Sequence, residues 1–318
     1  MAEYLDVKRS RLSSITDGLG SITDGLGSIT DGLGSITDGP GSITEGGTMA
    51  HSWDPERYLT YADERGRPFL ELVARIGAGA PRTVVDLGCG PGNLTRLLSD
   101  RWPDAEVRGV DSSPEMIAAA RRDHGDVAAF EVGDLRAWSA PPGGVDVLVS
   151  NATLQWLPEH LDLLPSVVAQ VAPGGWFAFQ VPGNFDEPSH TIRTELAREP
   201  AYADHTRDAR VPTSHGPETY LDALVATGCE VDVWETTYFH QLQGEDAVFT
   251  WVSGTGARPT LQALPDGLRE EFTEEFKRRL RAAYPQRGIS GGASGVVLPF
   301  RRIFAVARVA SSPATDPA

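Results

Sequence analysis

From Met49 onward, short β-like runs alternate with stretches whose apolar residues recur every three to four positions. That alternation predicts a parallel sheet covered by helices on both faces. The runs RTVVDL (82–87), EVRGV (106–110), AAFEV (128–132), VDVLVS (145–150) and GWFAFQV (175–181) read as strands. The intervening stretches 92–101, 113–123 and 160–171 read as helices. A further helical stretch, Pro55 to Ile76, precedes the first strand. Beyond Val181 the alternation loosens, with helices expected in 185–227, broken by PTSHGP. Two more strands are expected at 231–239 and 302–309, giving a Rossmann-like α/β sheet of seven strands. Between them, Pro265 to Tyr284 carries the apolar stripe Leu268, Phe272, Phe276, Leu280 and Tyr284. Acids precede bases along that segment, as the helix dipole favours. The span 240–300 is then expected to be an insertion over the carboxyl ends of the strands.

The first 48 residues follow no such pattern. SITDGLG begins at Ser14, recurs at Ser21 and Ser28, becomes SITDGPG at Ser35 and decays to SITEGG at Ser42. Two glycines in nearly every copy oppose a helix, at about 1 kcal/mol each. Residues 1–48 are therefore read as a flexible low-complexity tail, with Met49 opening the folded part. Residues 310–318 are read as a second short tail.

Composition narrows the partners. The chain is 40% apolar and 23% charged, with no apolar run long enough for a membrane span. Its net charge of −16 argues against nucleic acid, which requires a basic face. The tail carries seven acids against three bases, so most of that charge resides in the body. An anionic ligand would have to be captured by local arginines rather than by the overall field. Cys89 and Cys229 lack metal-ligand spacing and read as free thiols of a cytoplasmic protein. The seven histidines show no metal-binding pattern either, so no metal is expected.

The chemistry concentrates in four motifs. In VVDLGCGPG (84–92), a strand ends at Asp86, and Gly88, Gly90 and Gly92 turn the chain into a helix. Glycines there, with the small Cys89, let the backbone approach a ligand closely. The spacing is not the G-x-G-x-x-G of dinucleotide binders. An acid two places before the first glycine would repel a pyrophosphate, yet suits a ligand bearing a sulfonium and an ammonium. In GVDSSPEMI (109–117), Asp111 ends the next strand, where an acid accepts both hydroxyls of a ribose. Ser112 or Ser113 would cap the following helix, and Met116 would lie one turn in, against a base or in the core. Gly133-Asp134-Leu135 follows the third strand. Asn151 stands at the carboxyl end of the fourth, where open α/β sheets bind ligands. Gln155 and Trp156 follow it, facing the cleft or packed beneath it. Ala152 and Thr153 replace the Pro-Pro of enzymes that methylate amino groups of DNA bases.

The first motif resembles that of class I S-adenosylmethionine-dependent methyltransferases. The resemblance implies S-adenosylmethionine as cofactor, leaving S-adenosylhomocysteine, with Asp134 and the Leu135 amide reading the adenine. Further along, Trp53–Ile76, SNATLQWLPEH (150–160), WVSGTGARPTLQAL (251–264) and PFRRIFAVARV (299–309) resemble the trans-aconitate 2-methyltransferase family. This likeness spans about Trp53 to Val309. It implies methylation of one carboxylate of a tricarboxylate, a small-molecule partner, and no membrane or nucleic-acid partner. Monomer and homodimer both stay open.

Three carboxylates call for guanidinium forks. Arg258 after the GTG turn is the first candidate, followed by Arg302 (or Arg301), while Arg65, Arg67, Trp53, Tyr58 and Trp156 could close over donor or acceptor. The cofactor set is Asp86, Gly88, Cys89, Gly90, Gly92, Asp111, Ser112, Met116, Asp134, Leu135 and Asn151. A methyltransferase domain over 49–309 is expected, its cofactor core at 81–182 and cap elements at 53–77 and 185–300. No catalytic base is expected, because a carboxylate is already ionised near neutral pH. Methylation of a hydroxyl, amine or carbon, or cofactor binding without catalysis, would keep the donor motifs. A nicotinamide oxidoreductase is opposed by the glycine spacing.

Overall fold

The computed structural model describes residues 62–311. The expectations for the repeat tail, Met49, Trp53 and Tyr58 lie outside the described residues. Helix α1 (Ala62–Ala74) precedes β1 (Thr83–Leu87), α2 (Thr95–Arg101), β2 (Glu106–Asp111), α3 (Pro114–His124) and β3 (Ala129–Val132). Then come β4 (Val145–Asn151), a single 3-10 turn (Leu154–Trp156), α4 (His160–Val168) and β5 (Val171–Pro182). The later part holds α5 (Pro188–Ala197), α6 (Ala203–Thr206), α7 (Pro217–Val225) and β6 (Glu230–Leu242). It closes with α8 (Ala247–Ser253), α9 (Arg258–Ala263), α10 (Asp266–Ala283), β7 (Arg287–Gly288) and β8 (Ser294–Arg308).

The main sheet runs β3-β2-β1-β4-β5-β8-β6, parallel through β5, with β8 antiparallel to both of its neighbours. Seven strands were expected, and seven make this path. The eighth, β7, is two residues paired only to β8. The order changes direction between β1 and β4, the place where such sheets bind ligands.

Strand alternation sends successive residues to opposite faces. Val85, Leu87, Leu148, Phe177 and Phe179 pack on one face with Leu164 of α4 and Tyr220 and Leu224 of α7. Val84, Val147, Val149, Ala178 and Phe304 pack on the other, under Phe69, Leu72 and Val73 of α1 and Leu98 of α2. Helix α7 thus belongs to the sheet's own core rather than to the cap expected over 185–300.

A second core explains that cap. Strand β5 ends at Pro182, opposite Arg302, whereas β6 and β8 stay paired out to Leu242 and Val296. This ribbon overshoots the carboxyl ends of the parallel strands. Leu242, Val296, Leu298 and Phe300 on it bury against Trp251, Phe272, Phe276 and Leu280 of α8 and α10, with Leu196 of α5. The expected insertion between 240 and 300 is therefore partly an extension of the sheet.

Candidate active site

The glycine-rich turn is built by fit on both sides. Gly88 has φ +80°, and a side chain there would meet Thr153, whose hydroxyl donates to the Gly88 carbonyl at 3.2 Å. Gly92 has φ +83° and backs onto Phe130 and Ala120. Gly90 has φ +57°, but a Cβ on it would meet open space. Of the three, Gly90 therefore faces the cleft. Its amide donates to Asp111 Oδ2 at 2.9 Å, while Asp111 Oδ1 accepts from the Ser113 amide at 2.9 Å. Each carboxylate oxygen keeps a lone pair for a ribose hydroxyl. Burial pushes the Asp111 carboxyl upward, opposed by the amides of Ser113, Gly90 and Ser112.

Asp86 lies one strand residue inside the turn. It is buried, accepts from Thr95 Oγ1 at 2.6 Å, and is driven up to about 7 by desolvation, eased by the Thr95 hydroxyl. Cys89 turns its thiol into a small core with Ile117, Ala120 and Phe130, so only its backbone fronts the turn. Burial pushes that thiol far up, which leaves it inert. Ser113, not Ser112, caps α3, accepting from the Met116 amide at 3.2 Å. Ser112 is exposed, and Met116 is buried. Asp134 is held by the Arg136 guanidinium and backbone amide, which draw its carboxyl down. Leu135 packs on the main core.

At the end of β4 the geometry is strained. Ala152 is the one non-glycine with positive φ (53°) among the described residues. Such conformations cluster where function over-determines the backbone. Here the Ala152 amide donates to the Gln180 carbonyl at 2.8 Å, and its own carbonyl accepts from Gln155 Nε2. Next to it stand buried amides with unused atoms: Asn151 Oδ1, Gln155 Oε1, Gln180 Nε2, and both Asn184 Oδ1 and Nδ2. Asn151 and Gln180 are paired across β4 and β5. Each orphaned buried group costs about 1–3 kcal/mol, so their concentration at one edge marks a place where a ligand completes the bonding. The oxygens of Asn151 and Gln155, the open face of Gly90 and the Asp111 carboxylate fit a donor with hydroxyls and a cationic end, whereas the free N–H groups of Gln180 and Asn184 suit an anion.

The arginines divide. Arg302 is buried and donates to Gln180 Oε1 at 3.0 Å, its guanidinium lying over Phe300. Arg67 is mostly exposed and paired with Glu71 at 2.8 Å, which also accepts from Tyr238 Oη at 2.6 Å. Arg67 is thus tied up by its own helix. Arg258 opens α9 two residues after Gly256, half-buried, as is Trp156. Arg193, which motif reading passed over, is buried in α5 beside His190. Only its burial marks it: Ser189, His190, Arg193 and Leu196 form the buried stripe of that helix, a polar face where apolar residues are the rule. Asn184 was equally overlooked, although it follows β5 much as Asn151 ends β4.

The sheet order, glycine turn and acid at the end of β2 define a class I S-adenosylmethionine-dependent methyltransferase. The family model described as a methyltransferase domain matches residues 84–175. The trans-aconitate 2-methyltransferase of Streptomyces avermitilis is 49% identical over 80% of this chain and 96% of its own. That of Mycolicibacterium gilvum is 51% identical over 81% and 99%. The chain belongs to the trans-aconitate 2-methyltransferase family. Among solved structures, the YcgJ protein from Bacillus subtilis superposes with a TM-score of 0.52 at 15% identity, over 77% of this chain and 99% of that one. That likeness supports the fold alone.

Proposed function

We propose that the protein methylates one carboxylate of trans-aconitate, using S-adenosylmethionine and giving a monomethyl ester. The observation that carries this reading is near-50% identity to trans-aconitate 2-methyltransferases along almost their whole length. When bound, S-adenosylmethionine supplies a sulfonium-activated methyl group and leaves S-adenosylhomocysteine.

The protein's own contribution is placement. Asp111 takes the ribose hydroxyls, the Gly88–Gly92 turn and Asn151 border the donor's amino-acid end, and Asp86 supplies negative charge beneath it. Met116, Ser112 and the Leu135 amide border the base, with Asp134 exchanging Arg136 for the adenine amino group. The acceptor is a carboxylate, ionised well below neutral pH, and needs no proton removed. His160 is turned into the core, donating from Nδ1 to the Leu157 carbonyl at 2.7 Å and accepting at Nε2 from Tyr220 Oη at 2.8 Å. Burial lowers its pKa further. Rate then comes from orientation and exclusion of water, for which the cap on the β6–β8 ribbon is placed. Arg258, Arg302 and Trp156 are the groups assigned to the acceptor side.

Incubating purified protein with S-adenosylmethionine and a panel of carboxylates, phenols and amines tests the reading. Trans-aconitate should yield one methyl ester per S-adenosylhomocysteine formed, with cis-aconitate and citrate poorer acceptors. Product from a phenol or amine, with none from trans-aconitate, would overturn it.

A further inference from the structure

Among the described residues, most arginines form an ion pair with an acid, and Arg193 does not. It is 2% exposed, and its hydrogen bonds go to the Gly256 carbonyl and, at 3.1 Å, to Thr194 Oγ1. No carboxylate among the described residues forms an ion pair with it. A guanidinium has five donors, so two neutral acceptors leave part of its capacity unspent. Burial lowers its pKa to about 10, which still leaves it a cation at neutral pH. A buried charge without a counter-charge is costly, and proteins tolerate one where a ligand supplies the missing sign.

The neighbours reinforce the point. His190, one helical turn earlier, is pushed down to about 3 by burial and by Arg193, so it stays neutral and adds no competing charge. Its Nδ1 is engaged by Ser189 Oγ at 3.0 Å, and its Nε2 faces Gly256, where a Cβ would sit 3.0 Å away. Gly256 is part of the GTG turn leading into Arg258. Asn184, on the loop from β5 into α5, is 1% exposed, and neither its amide nitrogen nor its oxygen has a partner. That loop leaves the sheet beside β4, whose end carries Asn151 and the strained Ala152. A buried cation and an unpartnered amide therefore share one segment of ten residues that begins where β5 leaves the sheet beside β4.

We propose that Arg193 and Asn184 form the anchor for a carboxylate of the acceptor other than the one methylated. The inference rests on the trans-aconitate reading and deepens it, because a second carboxylate is what separates a polycarboxylate from a simple acid. The Arg193 fork takes the carboxylate oxygens, the Asn184 amide adds a donor, and the third acceptor carboxylate is left to Arg258. Held this way, the molecule has one carboxylate fixed inside the cap and another at the donor.

Two kinds of variant test it against a merely structural role. Arg193→Lys and Arg193→Met should lower kcat/KM for trans-aconitate by about 10- to 150-fold, the loss expected for charged hydrogen bonds. The same variants should hardly change kcat/KM for crotonate, an unsaturated acid with one carboxylate, so the preference between the two acids collapses. Calorimetric affinity for S-adenosylmethionine should stay within twofold. Asn184→Leu is sharper: replacing a buried amide that has no partner should keep or raise Tm while weakening trans-aconitate at least tenfold. A structural Arg193 would lower turnover of both acids together, leaving their ratio unchanged, and that outcome overturns the anchor. An Asn184→Leu variant with lowered Tm and unaltered acceptor kinetics overturns Asn184's part. Wild-type protein that binds S-adenosylmethionine yet never methylates trans-aconitate would sink the functional reading itself, a result separate from either.

Discussion

Asp86 should make donor binding depend on pH, and removing its charge should abolish that dependence. The carboxyl is buried beneath the glycine turn with one hydroxyl partner, and desolvation raises it from 3.8 to about 7. Such a rise corresponds to ~4 kcal/mol against the ionised form. Its folded pKa lies above its unfolded one, so between pH 4 and 7 the folded state holds a proton that the unfolded state has lost. Stability from this group is complete below about pH 4 and is lost as pH rises to about 7. Asp86→Asn keeps an oxygen for Thr95 and never ionises. Without ligand, the variant should match wild type near pH 4.5 to within ~1 kcal/mol and exceed it by up to ~4 kcal/mol at pH 8, measured by denaturant unfolding.

The donor reverses the sign. A sulfonium and an ammonium above Asp86 favour its ionised form, so binding must first remove the proton wherever pH is below 7. The ionised fraction rises about 15-fold from pH 5.5 to 7, and wild-type affinity by calorimetry should rise by a similar factor. Asp86→Asn should bind more weakly with a flat profile over that window. Asp111 also contributes a raising influence on Asp86, so an Asp111→Asn background should shift the bend downward without removing it. A constant, pH-independent stability offset between wild type and Asp86→Asn, with parallel donor profiles, would refute the reasoning.

Further outcomes are expected from the same geometry. Asp111→Ala should weaken S-adenosylmethionine by about 10- to 150-fold in calorimetry, the range for lost hydrogen bonds to a charged group. Asp232→Ala should change nothing measurable, since its partner Arg75 sits 3.4 Å away in an exposed pair. Gly88→Ala should cost at least ~2 kcal/mol in unfolding assays, because its Cβ would lie 2.1 Å from Thr153 Oγ1 on a left-handed backbone. Gly90→Ala, facing open space, should cost about 1–2 kcal/mol of stability yet impair the donor more than the fold. With saturating donor, kcat/KM for the acceptor should be flat from about pH 6.5 to 8.5, and a tenfold rise there would point to a base or a protonated acceptor.

Much of the sheet was legible in the sequence because each buried parallel strand is a short apolar run ended by a turn. VVDLGCGPG and the acid of GVDSSPEMI stood out for the same reason: glycine and aspartate at strand ends have few structural uses. Strands β5 and β8 proved longer than their apolar runs. The start of β5 is VAPG, where a register shift beside Val145 spoils the pattern. The start of β8 faces the cap and carries residues such as Pro299 and Arg301 between its buried ones. The second core was hidden by distance, since it joins Leu196 to Phe300 across a hundred residues of chain. Periodicity reports which face of an element is buried, not what buries it.

The site residues divide along the same line. A functional residue at a strand end announces itself by position, whereas Arg193 sits within a helix and looks like any charged residue until its burial is known. What separates it from Arg67 is environment. One guanidinium is mostly in water with Glu71 beside it, and the other is out of water with only neutral acceptors. The buried amides of Asn151, Gln155, Gln180 and Asn184 pose the same physical problem in neutral form. All lie between residues 151 and 184, along the edge where β4 and β5 end. Folding alone would select leucine or valine at such places. Retaining polar atoms there lowers the stability of the free protein and raises the affinity for whatever completes them. On the reading proposed above, the donor motifs would bring a cation and hydroxyls to one side of this edge, and Arg193 would meet an anion on the other. A small polyanion held between them would then present one carboxylate to the donor's cation and another to Arg193.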